Sequence, residues 1–405
     1  MAMAGSNRNI PAIEGGVPVR DEPLPFFKAA LSERDIESVA ETLRSGWLTV
    51  GPRTEQFEHA LADFLGVENV VAVSSCSEAM FLALTALGVG PGDEVITSCL
   101  TFVSTVHAIM HVGATPVLVD VDPETLGPDP EKVREKINGC TKAVLPVHFG
   151  GQACRIEEIC DIAGRRNLAV VEDAAHSFGA AVGGELLGDF GDATAFSFYA
   201  TKNLTTAEGG AISTGDGELA RRLRTLSYHG MSRDSWERYA DRGSWYYQVD
   251  GAGHKCNLND VLSSLGLSQL ERIDDLLGRR RELAELFTER LSDSPYFELP
   301  IERKGNRHTW HLYVVQLNLD RMTIDRDQFT KALTRENIGN SVHFIPVYRH
   351  PFFSPFGADP GDFPVCEAYF SRCISLPLFP DMRTGDVDDV VEALNKIAAY
   401  YSRGS

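Results

Sequence analysis

At 405 residues the chain is too long for one ordinary core, so one large and one smaller domain are expected. Its 43% hydrophobic and 23% charged residues are ordinary for a soluble globular enzyme. A formal net charge of -19 argues against nucleic acid or an anionic membrane as a partner, because both reward basic surfaces.

Any anionic ligand must then be held by a local cluster. Eight cysteines, at positions 76, 99, 140, 154, 160, 256, 366 and 373, include no Cys-x-x-Cys pair and no zinc-like Cys/His spacing, so no metal site is expected. No signal-peptide pattern is read at the start, and no apolar run reaches the roughly 18 residues of a membrane span. A cytoplasmic protein with reduced thiols is the resulting expectation. Residues 1–24 read as an N-terminal segment; its start, Met1-Ala-Met-Ala-Gly-Ser-Asn-Arg-Asn9, lacks an apolar region and is expected to be disordered.

The first helix is predicted over 32–44, with Ile36, Val39, Ala40 and Leu43 at helical spacing, a Ser32-x-x-Asp35 opening that resembles a capping box, and Gly46 as the stop. A second follows over 54–65, with Phe57, Leu61 and Phe64 on one side and Gly66 closing it. From residue 69 the pattern is regular. Strands are predicted at 69–73, 94–97, 115–119, 142–147, 168–172 and 193–198, with helices at 78–87, 103–111, 130–138 and 155–165 between them. This alternation implies an α/β large domain, a mostly parallel sheet covered by helices on both faces.

In such sheets ligands gather beyond the carboxyl ends of the strands, so the residues that follow each strand form one candidate set. After 69–73 comes Ser74-Ser-Cys76-Ser77, opening a helix whose free N–H groups and dipole can bind a phosphate. Phe102 after the second strand offers a flat face, His148 follows the fourth, and Asp173 and then His176 follow the fifth. Ser197 ends the sixth, and Lys202 lies five residues on, where burial would lower its pKa and free its amine for Schiff-base chemistry. A phosphate site, an aromatic face, a carboxylate and a lysine suit a phosphorylated pyridinium aldehyde. Each position has a plainer alternative: a helix N-cap for Asp173 and Ser77, a satisfied structural histidine for His176.

The stretch Phe196-Ser-Phe-Tyr-Ala-Thr-Lys-Asn-Leu-Thr-Thr-Ala-Glu-Gly-Gly210 resembles the internal-aldimine segment of the DegT/DnrJ/EryC1/StrS sugar aminotransferases. The resemblance extends from Pro25-Phe-Phe27 through Val342-His-Phe-Ile-Pro-Val-Tyr-Arg-His-Pro351 to Leu376-Pro-Leu-Phe-Pro380. It implies a fold type I enzyme whose cofactor is pyridoxal 5'-phosphate (PLP), bound through Lys202 with Asp173 at the ring nitrogen and Ser197 as the serine before the lysine; for that cofactor His176, one helical turn on from Asp173, would reach the ring hydroxyl, and Cys76 and Ser77 would stand at the phosphate. The segment His254-Lys-Cys-Asn-Leu-Asn-Asp260 resembles the one whose asparagine reaches the neighbouring subunit's phosphate, which points to Asn257 and to a homodimer with shared sites. Family members commonly carry Gly-Thr where this chain has Cys76-Ser77, and many carry an aromatic where it has Cys256.

The resemblance also implies ping-pong transfer of an amino group from glutamate to a nucleotide-linked keto sugar. The Thr-Ala-Glu-Gly-Gly ending and Ser341-Val-His-Phe-Ile-Pro346 look more like members that aminate C4 than C3. Relatives that remove the sugar's 3-hydroxyl carry histidine at the lysine position, so Lys202 counts against that alternative; a non-catalytic sugar-binding protein on the same scaffold is the other. Trp47 in the loop 45–52, His148, Arg233, His343 and His350 are candidate substrate contacts. Large PLP-binding and smaller C-terminal α/β domains are expected at 25–258 and 259–405, the latter opening with a long linking helix over 260–290. A strand at 311–317 and helices at 326–336 and 387–401 complete the smaller domain.

Overall fold

The computed structural model describes residues 8–232, 246–356 and 359–403. Two compact units emerge: a larger one of residues 31–274 and 303–309, and a smaller one of residues 1–30, 275–302 and 310–405.

The larger unit is built on a seven-stranded sheet. Its strands are β1 (Asn69–Val73), β2 (Glu94–Ser98), β3 (Thr115–Val119), β4 (Thr141–Leu145), β5 (Ala169–Asp173), β8 (Ala193–Ser197) and β9 (Gly210–Thr214), in the order β1-β9-β8-β5-β4-β2-β3. Pairing is parallel from β8 to β3, whereas β9 runs antiparallel to both β1 and β8. Period-two alternation divides the side chains between two cores. Val95, Ala143, Leu145 and Val171 join Ala79, Leu82, Ile109 and Leu223 in one cluster, while their neighbours Ile96, Val144 and Val170 join Val133, Ile156 and Ile159 in another. The first cluster seats α3 (Cys76–Ala86), α4 (Val103–His111) and α7 (Gly217–Ser227). The second seats α5 (Pro130–Lys136) and α6 (Ile156–Gly164) on the opposite face, the double coverage that α/β alternation predicts.

The first helix, α1 (Glu33–Ser45), corrects a sequence-based expectation. Its capping box forms as read: Asp35 N–H donates to Ser32 Oγ, and Ser32 N–H donates to Asp35 Oδ2. Yet its buried residues are Asp35, Ser38 and Thr42, and Ile36 and Leu43 are 56% and 54% exposed. The polar face is drawn inward because α8 (Asp260–Leu270) and Arg272 just beyond it supply polar partners: Ser268 Oγ donates to Asp35 Oδ1 at 2.6 Å, Ser38 Oγ to Ser264 O at 2.8 Å, and Gln269 Nε2 and Arg272 to Asp35 Oδ2 at 2.8 and 2.7 Å. Satisfied polar groups bury readily, and the apolar stripe is left outside.

These bonds also move the domain boundary. α8 packs within the larger unit, and the chain passes to the smaller one at 274/275, inside the helix Ile273–Leu291, rather than at 258/259. The single tract expected over 260–290 is two helices, and residues 1–30 belong to the smaller unit.

That smaller unit carries an antiparallel sheet of β10 (Phe297–Glu298), β12 (Tyr313–Leu317) and β13 (Cys373–Leu376), with the helices Arg326–Arg335 and Thr384–Tyr400. Phe287, Tyr313, Phe329, Ile374 and Leu394 anchor its core. The sequence reading missed β13 and Pro364–Phe370, both too short for a clear period, and the two-residue strands β6 (Ala181–Val182), β7 (Glu185–Leu186) and β11 (Asn306–Arg307); it also passed over α7, although Leu219, Ala220 and Leu223 stand at helical spacing and are buried.

Candidate active site

Lys202 lies in the loop between β8 and β9. The loop is anchored by Phe198, fully buried and edge-on to Phe57 and Phe178 at 5.5 and 5.6 Å. The Phe198 carbonyl accepts from Thr206 N–H at 2.9 Å and Thr205 Oγ1 at 3.3 Å, its N–H donates to Gly209 O at 2.9 Å, and Lys202 N–H donates to Tyr199 O at 2.9 Å. These bonds fold residues 199–206 back on the sheet. Burial of the amine in protein pushes the Lys202 pKa down to about 8, against the opposing pull of Cys76 and Asp173.

Asp173, at the end of β5 and only 4% exposed, is the carboxylate of this group. Its Oδ2 accepts from Thr105 Oγ1 at 2.7 Å, and Oδ1 accepts from Ala175 N–H at 3.1 Å, with Cys76 Sγ 4.0 Å away. Thr101 Oγ1 stands 2.7 Å from Thr105 Oγ1 and completes a chain of hydroxyls. Burial, and then the charge of Asp173, push the Cys76 thiol well above its usual range, so it remains S–H and points at Ala195 O, 3.5 Å away.

Cys76 opens α3. Ser75, not Ser77, is the N-cap, its Oγ accepting from Glu78 N–H at 3.2 Å. The Cys76 and Ser77 amides, in the helix's first turn, have no acceptor among the described residues, and Ser77 is exposed. Gly210 shows how tightly this end is built: a Cβ there would meet Cys76 N and Ser75 C at 2.6 Å and Phe196 O at 2.7 Å. Its absence of a side chain serves close backbone approach. Ser197, the last residue of β8, is 8% exposed and its Oγ accepts from Tyr199 N–H at 3.4 Å. His176 Nδ1 accepts from Gly150 N–H at 3.2 Å, which leaves its proton on Nε2. Phe102, the N-cap of α4, is 57% exposed.

A model of the DegT/DnrJ/EryC1/StrS aminotransferase family matches residues 29–395. The chain belongs to that family. It is 48% identical over 380 residues to the spore coat polysaccharide biosynthesis protein SpsC of Bacillus subtilis, covering 93% of this chain and 98% of that one. The putative sugar aminotransferase Spr1654 of Streptococcus pneumoniae, in its PMP form, superposes with a TM-score of 0.88 at 30% identity, covering 93% and 99% of the two chains. DesI, solved in the presence of its TDP-sugar product, gives a TM-score of 0.85 at 28% identity, with 96% of each chain covered. The family is PLP-dependent, and Spr1654 is also known in a PLP form.

Against the family's chemistry, the remaining sequence candidates divide. His148 is corrected: it is fully buried, its Nε2 lies 2.9 Å from Glu172 Oε2, and its Nδ1 accepts from Cys154 N–H at 3.1 Å. Glu172 is saturated in turn by Gly191 N–H and Thr194 Oγ1, so this pair fastens strands and has no access to substrate. Trp47 is half-buried and donates from Nε1 to Val50 O at 3.0 Å within its own loop. Asn257 bridges Val73 at the end of β1 and donates from Nδ2 to Leu258 O, and it lines a cavity of about 400 Å³ with Glu58, His59, Arg224 and Tyr228. His343, bonded to Ser375 Oγ at 2.8 Å, and His350 belong to the smaller unit. Arg233 lies outside the described residues.

Sequence reasoning missed Thr105 and Asn203. Thr105 sits inside α4, where no motif marks it; Asn203 follows Lys202 directly, and its signal was masked by the lysine.

Proposed function

We propose that this protein is a PLP-dependent aminotransferase that moves an amino group from glutamate to a nucleotide-linked keto sugar, at C4. The observation that carries the reading is the grouping of Lys202, its pKa pushed down to about 8, with the buried carboxylate of Asp173 beyond the ends of β5 and β8. Support for a nucleotide-linked sugar comes from DesI, whose solved form includes a TDP-sugar product. The preference for C4 rests on the residues 205–210 and 341–346.

The residues fit PLP. Bound there, PLP supplies an electron sink for the charge left when a proton leaves the substrate carbon. Asp173, held by Thr105 and Ala175, would stand at the ring nitrogen and favour its protonated form, and an opposite charge at such range shifts a pKa by about 1–3 units. The Cys76 and Ser77 amides and Ser197 Oγ would hold its phosphate at the start of α3. His176 would offer its Nε2 proton to the ring oxygen, and Phe102 would supply an apolar face. Lys202 carries the cofactor and, once free, moves the proton as a tethered base; with a pKa near 8 a useful share of its amine is neutral at physiological pH.

The enzyme acts as a homodimer in which Asn257 serves the neighbouring subunit's phosphate. The outward apolar face of α1, with Ile36 and Leu43, and the nearby exposed Leu31 and Leu48 support an interface. The deciding assay incubates the protein with glutamate and a panel of 4-keto and 3-keto sugar nucleotides and reads amination by mass. Amination confined to 3-keto substrates overturns the position, and none on any keto sugar, with glutamate still consumed, overturns the substrate class.

A further inference from the structure

A seven-residue strap, residues 303–309, packs into the larger unit although the chain on either side of it belongs to the smaller one. Arg303 N–H donates to Gln152 Oε1 at 2.6 Å, Asn306 Nδ2 to Ala153 O at 3.0 Å, and Gly183 N–H to Gly305 O at 2.9 Å, while β11 pairs with β6. At its end Thr309, 2% exposed, makes the contacts that matter. Its N–H and Oγ1 both donate to Gly151 O, at 2.8 and 3.1 Å, and its carbonyl accepts from Asn203 Nδ2 at 3.2 Å.

Each end of that bridge abuts the site. Asn203 is the residue after Lys202. Gly150 and Gly151 both have positive φ, 67° and 113°, a conformation that lets the loop aim one carbonyl at the strap while Gly150 N–H reaches His176. Two residues earlier, His148 N–H donates to the carbonyl of Asp173 at 3.0 Å. A continuous set of bonds thus runs from the lysine loop through the strap to the loop that carries the aspartate and histidine partners.

Asn203 is a costly way to fill its space. It is 6% exposed, and its Oδ1 has no hydrogen-bond partner among the described residues. An apolar side chain of the same shape would remove the orphaned acceptor but would also leave the buried Thr309 carbonyl without its donor; the two effects oppose each other, so stability alone does not strongly select asparagine here.

We propose that Asn203 is a positioning residue: its bond to the Thr309 carbonyl fixes the lysine loop against the strap, and so sets where the Lys202 amine stands relative to Asp173 and His176. This rests on Lys202 being the lysine that carries the cofactor. A catalytic amine must be placed to within a fraction of an ångström, and a loop of seven or more residues does not achieve that without such a fastening.

The test is Asn203→Leu, which keeps the side chain's size and removes both polar atoms. Borohydride reduction of the holoenzyme followed by peptide mass spectrometry first establishes that Lys202 holds the cofactor in wild type and variant; a different lysine would sink the functional reading and this proposal with it, whereas failure of the measurements that follow sinks this proposal alone. The pH dependence of Lys202 acylation is then followed in cofactor-free protein. The expected result is a melting temperature that changes little, a labelling midpoint raised by about one pH unit toward that of an ordinary lysine, and a glutamate half-reaction slowed about tenfold. A midpoint and half-reaction within twofold of wild type, or a fall in melting temperature as the sole change, overturns the proposal. Should the variant not fold, Thr309→Val, which removes the Oγ1 bond to Gly151, is held to the same midpoint criterion.

Discussion

Lys202 is where composition, burial and chemistry meet in one atom. Replacing it with alanine removes both the attachment and the base, and general acid–base catalysis alone contributes about 10²–10⁴-fold. Single-turnover measurements with glutamate are expected to fall by at least that factor, with purified protein losing its borohydride-sensitive visible band. The amine also has a thermodynamic signature. Because burial holds its folded pKa at about 8, the unfolded chain binds more protons than the folded one between pH 8 and the ordinary lysine range near 10.5. Lys202 therefore costs the cofactor-free protein stability below that window and relieves the cost as pH rises through it. Urea unfolding of wild type against Lys202→Met is expected to favour the methionine variant at pH 7.5 and to show the difference shrinking by pH 10.

At the scale of elements, two buried details control the site's surroundings. Gly210 lets β9 pass the start of α3; in Gly210→Ala the new methyl meets backbone atoms of Ser75, Cys76 and Phe196 that cannot swing away. Overpacking of this kind costs about 1–3 kcal/mol, and because it strikes the proposed phosphate end, cofactor retention on dialysis should fall together with the melting temperature. Asp35 is the second. Its burial raises its pKa, but bonds from Ser268, the Ser32 amide and Arg272 outweigh that and leave it below the usual carboxylate range. Its contribution to stability is present above the unfolded carboxylate pKa and is lost as pH falls through the lower folded value. Asp35→Ala leaves Arg272, Ser268 and Gln269 facing an empty position, and a loss of about 3 kcal/mol is expected by denaturant melts at pH 7, shrinking below pH 4.

Across the whole molecule, the same Asp35 network explains why α1 presents hydrocarbon to the outside. A stripe carrying Ile36 and Leu43 at more than half exposure is not accounted for by the chain's own core. If it forms the proposed dimer interface, Ile36→Glu with Leu43→Glu should halve the mass measured by light scattering and, through Asn257, weaken PLP binding; a dimer of unchanged mass would exclude that face.

The sequence alone determined the alternation of strands and helices from residue 69 to 198 of the larger unit, because two- and 3.6-residue periods are local properties written in successive residues. It also marked Lys202, Asp173, Cys76 and His176 as one candidate set, since every parallel strand must end at the same edge of the sheet. Tertiary structure decided what no local pattern encodes. It turned α1 over, because polar partners on α8, more than 200 residues away, outbid the apolar face. It assigned His148 to Glu172 in the core, and it threaded residues 303–309 back beside Asn203. In each case the deciding hydrogen bond joins groups far apart in the chain, and their meeting depends on how the elements pack.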